Sequence, residues 1–276
     1  DVIVEDRYMD KEYLDEFSAF YSTVFKSHTR FCIRLHFFSG NIREDFGITK
    51  NKATITFPRS FENILQPKYL GFCVVRPTET NRISRTVIQP KVSQGREFVL
   101  SQSTCQINLN GTFLTACGMP FLHQDSQSGT CGSADIVMVS RYMHEKHRYR
   151  LCTSPEVTAM ANKFLGFSRP FPTRGLRMQQ MVSALVQMGY SPLVYSSKEA
   201  KKKLEDIVYF YLESSLPVIL HLTWGHVCLV IGHDFRGDLQ PRVKRNLVRN
   251  SDFIRHFIIH DDELGPYLHM PLEQSG

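Results

Sequence analysis

A cysteine at position 131 stands between a polar, glycine-bearing segment and an apolar pattern with helical spacing. Thr130 is predicted to be the N-cap of that helix, so Cys131 lies at its N-terminus. Unpaired backbone N–H groups and the positive end of the helix dipole stabilise a thiolate at such a place. Cys131 is therefore a candidate nucleophile, although a small buried residue beginning a core helix is the simpler interpretation of a lone cysteine.

Two other residues have the types that a thiol nucleophile requires as partners. A base must take the proton and return it to the leaving group, and a third group must fix the tautomer of that base. His226 begins an apolar strand-like run, and Asp261 lies just beyond the strand-like run 257–259. Adjacent antiparallel strands would place these two side chains together. Asp262 competes with Asp261, and since neighbouring strand residues point to opposite faces, only one acid should face His226.

A carbonyl attacked by sulfur also needs donors for its developing oxyanion. The backbone N–H of Cys131 is one candidate, and the side-chain amide of Gln124, seven positions earlier, is another. Gln127 or the backbone alone are the alternatives to Gln124.

These residues, in this order, resemble the papain-like cysteine peptidase superfamily. The resemblance rests on Gln124, the run 131–134, the run 225–227 and the run 257–261, covers about residues 119–267, and is greatest to compact bacterial branches such as the bacteriocin-processing peptidases. It implies an α+β fold in which a helical part carries the cysteine and an antiparallel sheet carries the histidine and the aspartate.

The same resemblance implies the residue roles. Cys131 is the nucleophile, His226 the general base and acid, Asp261 the orienting acid and Gln124 the oxyanion donor, in a hydrolase that cleaves peptide or isopeptide bonds through a thioester acyl-enzyme. Acyl transfer of the transglutaminase or deamidase type uses the same triad and is the nearest alternative. A non-catalytic partner-binding module on the same fold is the alternative from another class.

Composition excludes several other classes. The 276 residues are 42% hydrophobic and 22% charged, without an apolar run of bilayer-spanning length or a signal-like N-terminus, so we expect a soluble protein that does not enter the membrane. Seven cysteines without CxxC spacing indicate reduced thiols and a cytoplasmic location. We expect no cofactor and no metal, because His123, His221, His233 and His260 are poorly spaced for a site with Asp234.

The net charge of +6 comes partly from a lysine-rich helix, 198–214, and a basic insertion, 236–249. Such runs are usually solvated, but the insertion could recruit an acidic protein partner besides the peptide substrate. Nucleic-acid binding is not expected, because no basic motif is interleaved with aromatic residues.

Periodicity places the remaining elements. One amphipathic helix, 5–26, is followed by a β-rich region that we treat as an N-terminal extension, 1–118, preceding the catalytic domain, 119–276. Asn110 and Gly111 predict a hairpin turn. The predicted strands are 31–38, 53–57, 69–76, 85–88, 97–100, 105–109, 112–117, 216–222, 224–234 and 257–259, and the later helices are 154–166, 173–189 and 198–214.

Overall fold

The computed structural model describes residues 1–43, 61–78, 83–90, 98–124, 132–163, 176–196, 203–222, 225–235 and 249–272. These residues form a mixed α+β structure, as predicted. The helices are α1 (Lys11–Glu16), α2 (Phe61–Leu65), α3 (Ser133–His147), α4 (Ser154–Asn162), α5 (Met178–Gln187) and α6 (Leu204–Glu213). The strands are β1 (Val2–Tyr8), β2 (Cys32–Phe38), β3 (Tyr69–Val75), β4 (Ile83–Ile88), β5 (Phe98–Leu100), β6 (Ser103–Leu109), β7 (Thr112–Gly118), β8 (Val218–His221), β9 (Val227–Phe235), β10 (Ile254–Asp261) and β11 (Gly265–Pro271).

The first part of the chain forms an antiparallel sheet with the strand order β1-β2-β3-β4. The hairpin β6-β7 packs beside it, and its turn has positive φ at both Asn110 and Gly111, which confirms the predicted hairpin. Helix α1 and the π-helical turn Phe17–Tyr21 cover this sheet with aromatic side chains. This aromatic core is separate from the core under the second sheet.

The second sheet carries the predicted histidine and aspartate. Its strand order is β11-β10-β9-β5, all antiparallel, and β8 pairs with the first half of β9 on the edge that β5 occupies farther along. All but the last residue of β9 are buried, as the continuous apolar run predicts for a central strand. Helices α3, α4 and α5 contribute side chains to the core on which this sheet packs.

Strand β5 belongs by sequence to the predicted N-terminal extension, yet it pairs with β9. A hydrogen bond adds a second link, because Glu16 in α1, which forms a buried ion pair with Arg76 after β3, also accepts a hydrogen bond from Ser154 in α4. The division into 1–118 and 119–276 remains a prediction, and these contacts join its two sides.

The prediction of a helix over residues 5–26 was wrong for its first residues. Residues 2–8 form strand β1, which pairs with β2, and the helix begins only at Lys11. Asp10, two residues after the end of β1, caps the helix, since its carboxylate accepts the backbone N–H groups of Glu12 and Tyr13. Pairing of this segment with β2, about 30 residues later in the chain, determines that it is a strand. The spacing of apolar residues within the segment does not reveal that pairing.

Three further helix starts lie later in the chain than predicted. The N-cap of α3 is Gly132 and not Thr130, α5 begins at Met178 within the predicted 173–189, and α6 begins at Leu204 with Lys203 as its N-cap. Strand β11 was not predicted, and β10 extends through Asp261. The predicted strand 53–57, lysines 198, 201 and 202, and most of the basic insertion, 236–248, lie outside the described residues.

Within the described ranges, no helix has the length and apolar character needed to cross a bilayer.

Candidate active site

The imidazole of His226 and the carboxylate of Asp261 are in direct contact. The His226 Nε2 atom lies 2.8 Å from Asp261 Oδ2, and both side chains are almost fully buried. His226 immediately precedes β9 and Asp261 is the last residue of β10, so the antiparallel pairing of these strands brings them together, which confirms the predicted adjacency. With Nε2 engaged by the acid, Nδ1 is the ring nitrogen that can exchange a proton with a nucleophile.

Asp261 is held by a second set of hydrogen bonds. Its Oδ1 atom accepts the backbone N–H groups of Glu263 and Leu264, each at 2.9 Å. The carboxylate therefore caps the turn that joins β10 to β11 while its other oxygen contacts His226. These three bonds define the orientation of the acid, and through it that of the imidazole.

Asp262 also lies beside His226, contrary to the expectation that only one acid would do so. One atom of each of His226, Asp261 and Asp262 falls within 4.8 Å of the others. Strand alternation no longer applies at Asp262, because it stands in the turn after β10 ends. Burial raises the pKa of Asp262 to about 7, the neighbouring His226 opposes this shift, and Asp261 adds to it.

A third acid, Asp135 in the first turn of α3, faces the same corner. It is fully buried, and burial raises its pKa well above the usual range, with smaller contributions from the charges of Asp262 and Asp261. Sequence reasoning missed Asp135; its signal was a lone acid within the apolar start of a helix. Helix α3 packs against β9 in the same core, and the charges of Asp261 and Asp262 are close enough to act on Asp135.

The residue before this turn is the predicted nucleophile. Cys131 lies outside the described residues, but Gly132 and α3, which follow it, are described. Gly132 has φ of 84°, a left-handed conformation that favours glycine, and a Cβ there would lie 3.1 Å from Met181 Sδ. The helix that begins after Cys131 carries Asp135 in its first turn, and this residue interacts with the charges of Asp261 and Asp262.

Gln124 lies at the same corner and is engaged with the turn. Its backbone N–H donates to the carbonyl oxygen of Asp262 at 3.1 Å, and its side-chain Nε2 donates to Glu263 Oε1 at 2.5 Å. The amide is thus held by Glu263, a partner that the sequence did not predict. Gln127, the alternative oxyanion donor, lies outside the described residues.

The remaining six cysteines, all described, are free thiols. Burial raises the pKa of Cys32, Cys105 and Cys228 to about 12, and it raises the pKa of Cys73 and Cys152 as well. These five thiols are therefore poor nucleophiles at neutral pH, because the thiolate is the reactive form.

Two other histidines considered from the sequence, His260 next to Asp261 and His233 farther along β9, are engaged with neighbouring side chains. His260 is fully buried between the rings of Phe121 and Tyr267, and this burial lowers its pKa to about 3. His233 contacts Glu213 at 2.8 Å, and burial lowers its pKa. Neither residue joins Asp234 in the metal site considered from the sequence.

Comparison of the chain with protein-family models, with curated proteins and with solved structures finds no match.

Proposed function

We propose that the protein is a cysteine hydrolase with a papain-like fold, which cleaves peptide or isopeptide bonds through Cys131, His226 and Asp261. The observation that carries the proposal is the buried 2.8 Å contact between His226 Nε2 and Asp261 Oδ2, beside the first turn of the helix that follows Cys131. Thiol hydrolysis requires a nucleophile, a base and an orienting acid, and the last two of these are in contact here.

In the proposed reaction His226 Nδ1 takes the proton from the Cys131 thiol, and the sulfur attacks the substrate carbonyl carbon. The tetrahedral intermediate collapses as the C–N bond breaks, and His226 gives its proton to the departing amine. A water molecule that loses a proton to His226 then hydrolyses the thioester and regenerates the thiol. Asp261 keeps the proton of the neutral imidazole on Nε2 throughout.

Gln124 is the proposed oxyanion donor of this reaction, together with the backbone N–H of Cys131. Its position at the turn after Asp261 supports that role, since the amide lies at the same corner as the histidine. Because its Nε2 atom now donates to Glu263 Oε1, donation to substrate requires that the amide changes partner or shares its two N–H groups.

Iodoacetamide labelling of the full chain at pH 7, read by peptide mass spectrometry, tests the proposal. Cys131 should react much faster than the six other cysteines, and His226→Ala should remove that preference. His221→Ala is the matched control, because His221 is an exposed histidine in the same sheet. Equal labelling of all seven thiols, or preference retained in His226→Ala, would contradict the proposal.

Turnover of fluorogenic peptide and isopeptide libraries then separates the alternatives. Hydrolysis lost in Cys131→Ala supports the hydrolase, whereas amine incorporation or glutamine deamidation lost in the same variant indicates acyl transfer or deamidation. A biological activity that survives Cys131→Ala favours the binding module. Inhibition by a chelator without inhibition by iodoacetamide would instead assign His226, Asp261 and Asp262 to a metal centre.

A further inference from the structure

A second cluster of histidines and a carboxylate lies at the other end of the same sheet. It consists of Asp234 on β9, His256 on β10 and His269 on β11. Asp234 Oδ2 lies 2.8 Å from His256 Nδ1 and 4.0 Å from His269 Nδ1. Two imidazole nitrogens thus converge on one carboxylate oxygen.

The register of three neighbouring strands produces this convergence. Asp234 is the direct cross-strand partner of His256, while His269 pairs with Ile258, two residues farther along β10. Because residues i and i+2 of a strand share a face, His256 and His269 are diagonal neighbours on one face of the sheet. Their ring centroids are 5.5 Å apart.

The carboxylate at the centre is fixed in place. Asp234 Oδ1 accepts the backbone N–H of His256 at 2.7 Å, so the other oxygen is directed to the two rings. Asp234 is 1% exposed, whereas the His269 side chain is 37% exposed. The cluster therefore has a buried anchor and a side that solvent reaches.

This cluster is distant from the candidate active site. His226 precedes β9 and Asp234 lies near the end of that strand, so eight residues at roughly 3.3 Å each separate them by about 26 Å. A ligand held at Asp234 would not contact His226 or Asp261.

We propose that Asp234, His256 and His269 bind a divalent first-row transition metal ion of the Zn²⁺ type. Two imidazoles and one carboxylate form a donor set suited to such ions, and three protein ligands leave a coordination position for water. Ligand atoms about 2.05 Å from a tetrahedral Zn²⁺ are about 3.3 Å apart. The observed 2.8 Å and 4.0 Å separations lie on either side of that value, so small side-chain rotations would complete the geometry.

Metal binding replaces one hydrogen bond. His256 Nδ1 would give up its contact with Asp234 Oδ2, and both atoms would bind the ion, while the imidazole proton resides on Nε2. The bond from the His256 backbone to Asp234 Oδ1 can stay, because it uses the other carboxylate oxygen. The ion would then connect β9, β10 and β11 and raise the melting temperature by linkage.

The test is calorimetric titration of the metal-free full chain with Zn²⁺, together with thermal melts with and without Zn²⁺. We expect one ion bound per chain at this cluster, a raised melting temperature, and at least a tenfold loss of affinity in both His256→Gln and His269→Gln. His269→Gln changes a partly exposed side chain, so its fold should be retained. His221→Gln, on the exposed histidine of β8, is the matched control and should bind Zn²⁺ as the native chain does.

Two other variants exclude binding elsewhere. Cys131→Ala and His226→Asn should leave this affinity unchanged, so the proposal can hold even where the proposed hydrolase activity does not. Absence of Zn²⁺ binding, or binding that survives His269→Gln and disappears in Cys131→Ala or His226→Asn, would overturn it.

Discussion

Replacing Asp261 by asparagine should invert the tautomer of His226 without changing the shape of the site. Asp261 Oδ1 accepts two backbone N–H groups, from Glu263 and Leu264, and Oδ2 contacts His226 Nε2. In Asp261→Asn only one amide orientation keeps both turn bonds, with the carbonyl oxygen toward the turn and the NH₂ group toward His226. Nε2 must then accept a hydrogen bond, so the proton moves to Nδ1.

The two hydrogen bonds of the turn determine the free-energy difference between the two orientations of the amide in Asp261→Asn. The flipped amide would leave two partly buried backbone N–H groups facing an NH₂ group, at a cost of about 1 kcal/mol for each, the lower end of the range for an unsatisfied donor. A total of about 2 kcal/mol favours the unflipped amide roughly thirtyfold. An imidazole protonated on Nδ1 cannot deprotonate Cys131, so the contribution of a general base, about 10²–10⁴-fold in rate, is lost.

Two measurements follow this change independently. Long-range ¹H–¹⁵N spectra of histidine-labelled protein should report the proton on Nε2 in the native chain and on Nδ1 in Asp261→Asn. The rate of Cys131 alkylation by iodoacetamide at pH 7 should fall in parallel. Asp262→Asn is the control, because the turn bonds and the His226 contact of Asp261 remain. A proton that stays on Nε2 of His226 in Asp261→Asn would show that the turn does not orient the acid.

Three further outcomes are expected. Burial raises the pKa of Asp262 from 3.8 to about 7, so the folded chain binds a proton at this carboxyl more tightly than the unfolded chain does. Ionised Asp262 therefore lowers the free energy of unfolding, increasingly from about pH 4 to about pH 7. The melting temperature of Asp262→Asn, relative to the native chain, should therefore rise between pH 4 and pH 8. Gln124→Ala should lower kcat by about 10²–10³ with little change in KM if its amide donates to the oxyanion, whereas Glu263→Gln, which keeps an acceptor for that amide, should retain most activity. Arg76→Met leaves the buried carboxylate of Glu16 without its guanidinium, so urea unfolding should show a loss of about 3–5 kcal/mol, and the double variant Arg76→Met/Glu16→Leu should recover part of it.

Each of these three predictions has a result that would contradict it. If the difference in melting temperature between Asp262→Asn and the native chain is the same at every pH, the pKa of Asp262 is not raised in the folded chain. A change in KM alone in Gln124→Ala would assign the amide to substrate binding. Equal instability of the single Arg76 variant and the double variant would show that packing around Arg76 matters more than its charge.

Much of the local structure followed from sequence patterns. Alternation and turn chemistry placed the hairpin at Asn110 and Gly111, and the apolar run after His226 predicted the buried strand β9. Residues 5–8 of strand β1 were assigned to a helix instead, because its partner β2 lies some 30 residues away and pairing across that distance has no signal in a short window.

The residue types and the local settings of Gln124, His226 and Asp261 were readable in the sequence by itself. The tertiary structure alone decided which groups meet: the register of β9 and β10 joins His226 to Asp261, and the packing of α3 brings Asp135 to the same corner. It also gathered Asp234, His256 and His269 from three strands. The physical reason is that chemistry between side chains depends on distances of about 3 Å, and strand register and helix packing set such distances between residues far apart in the chain.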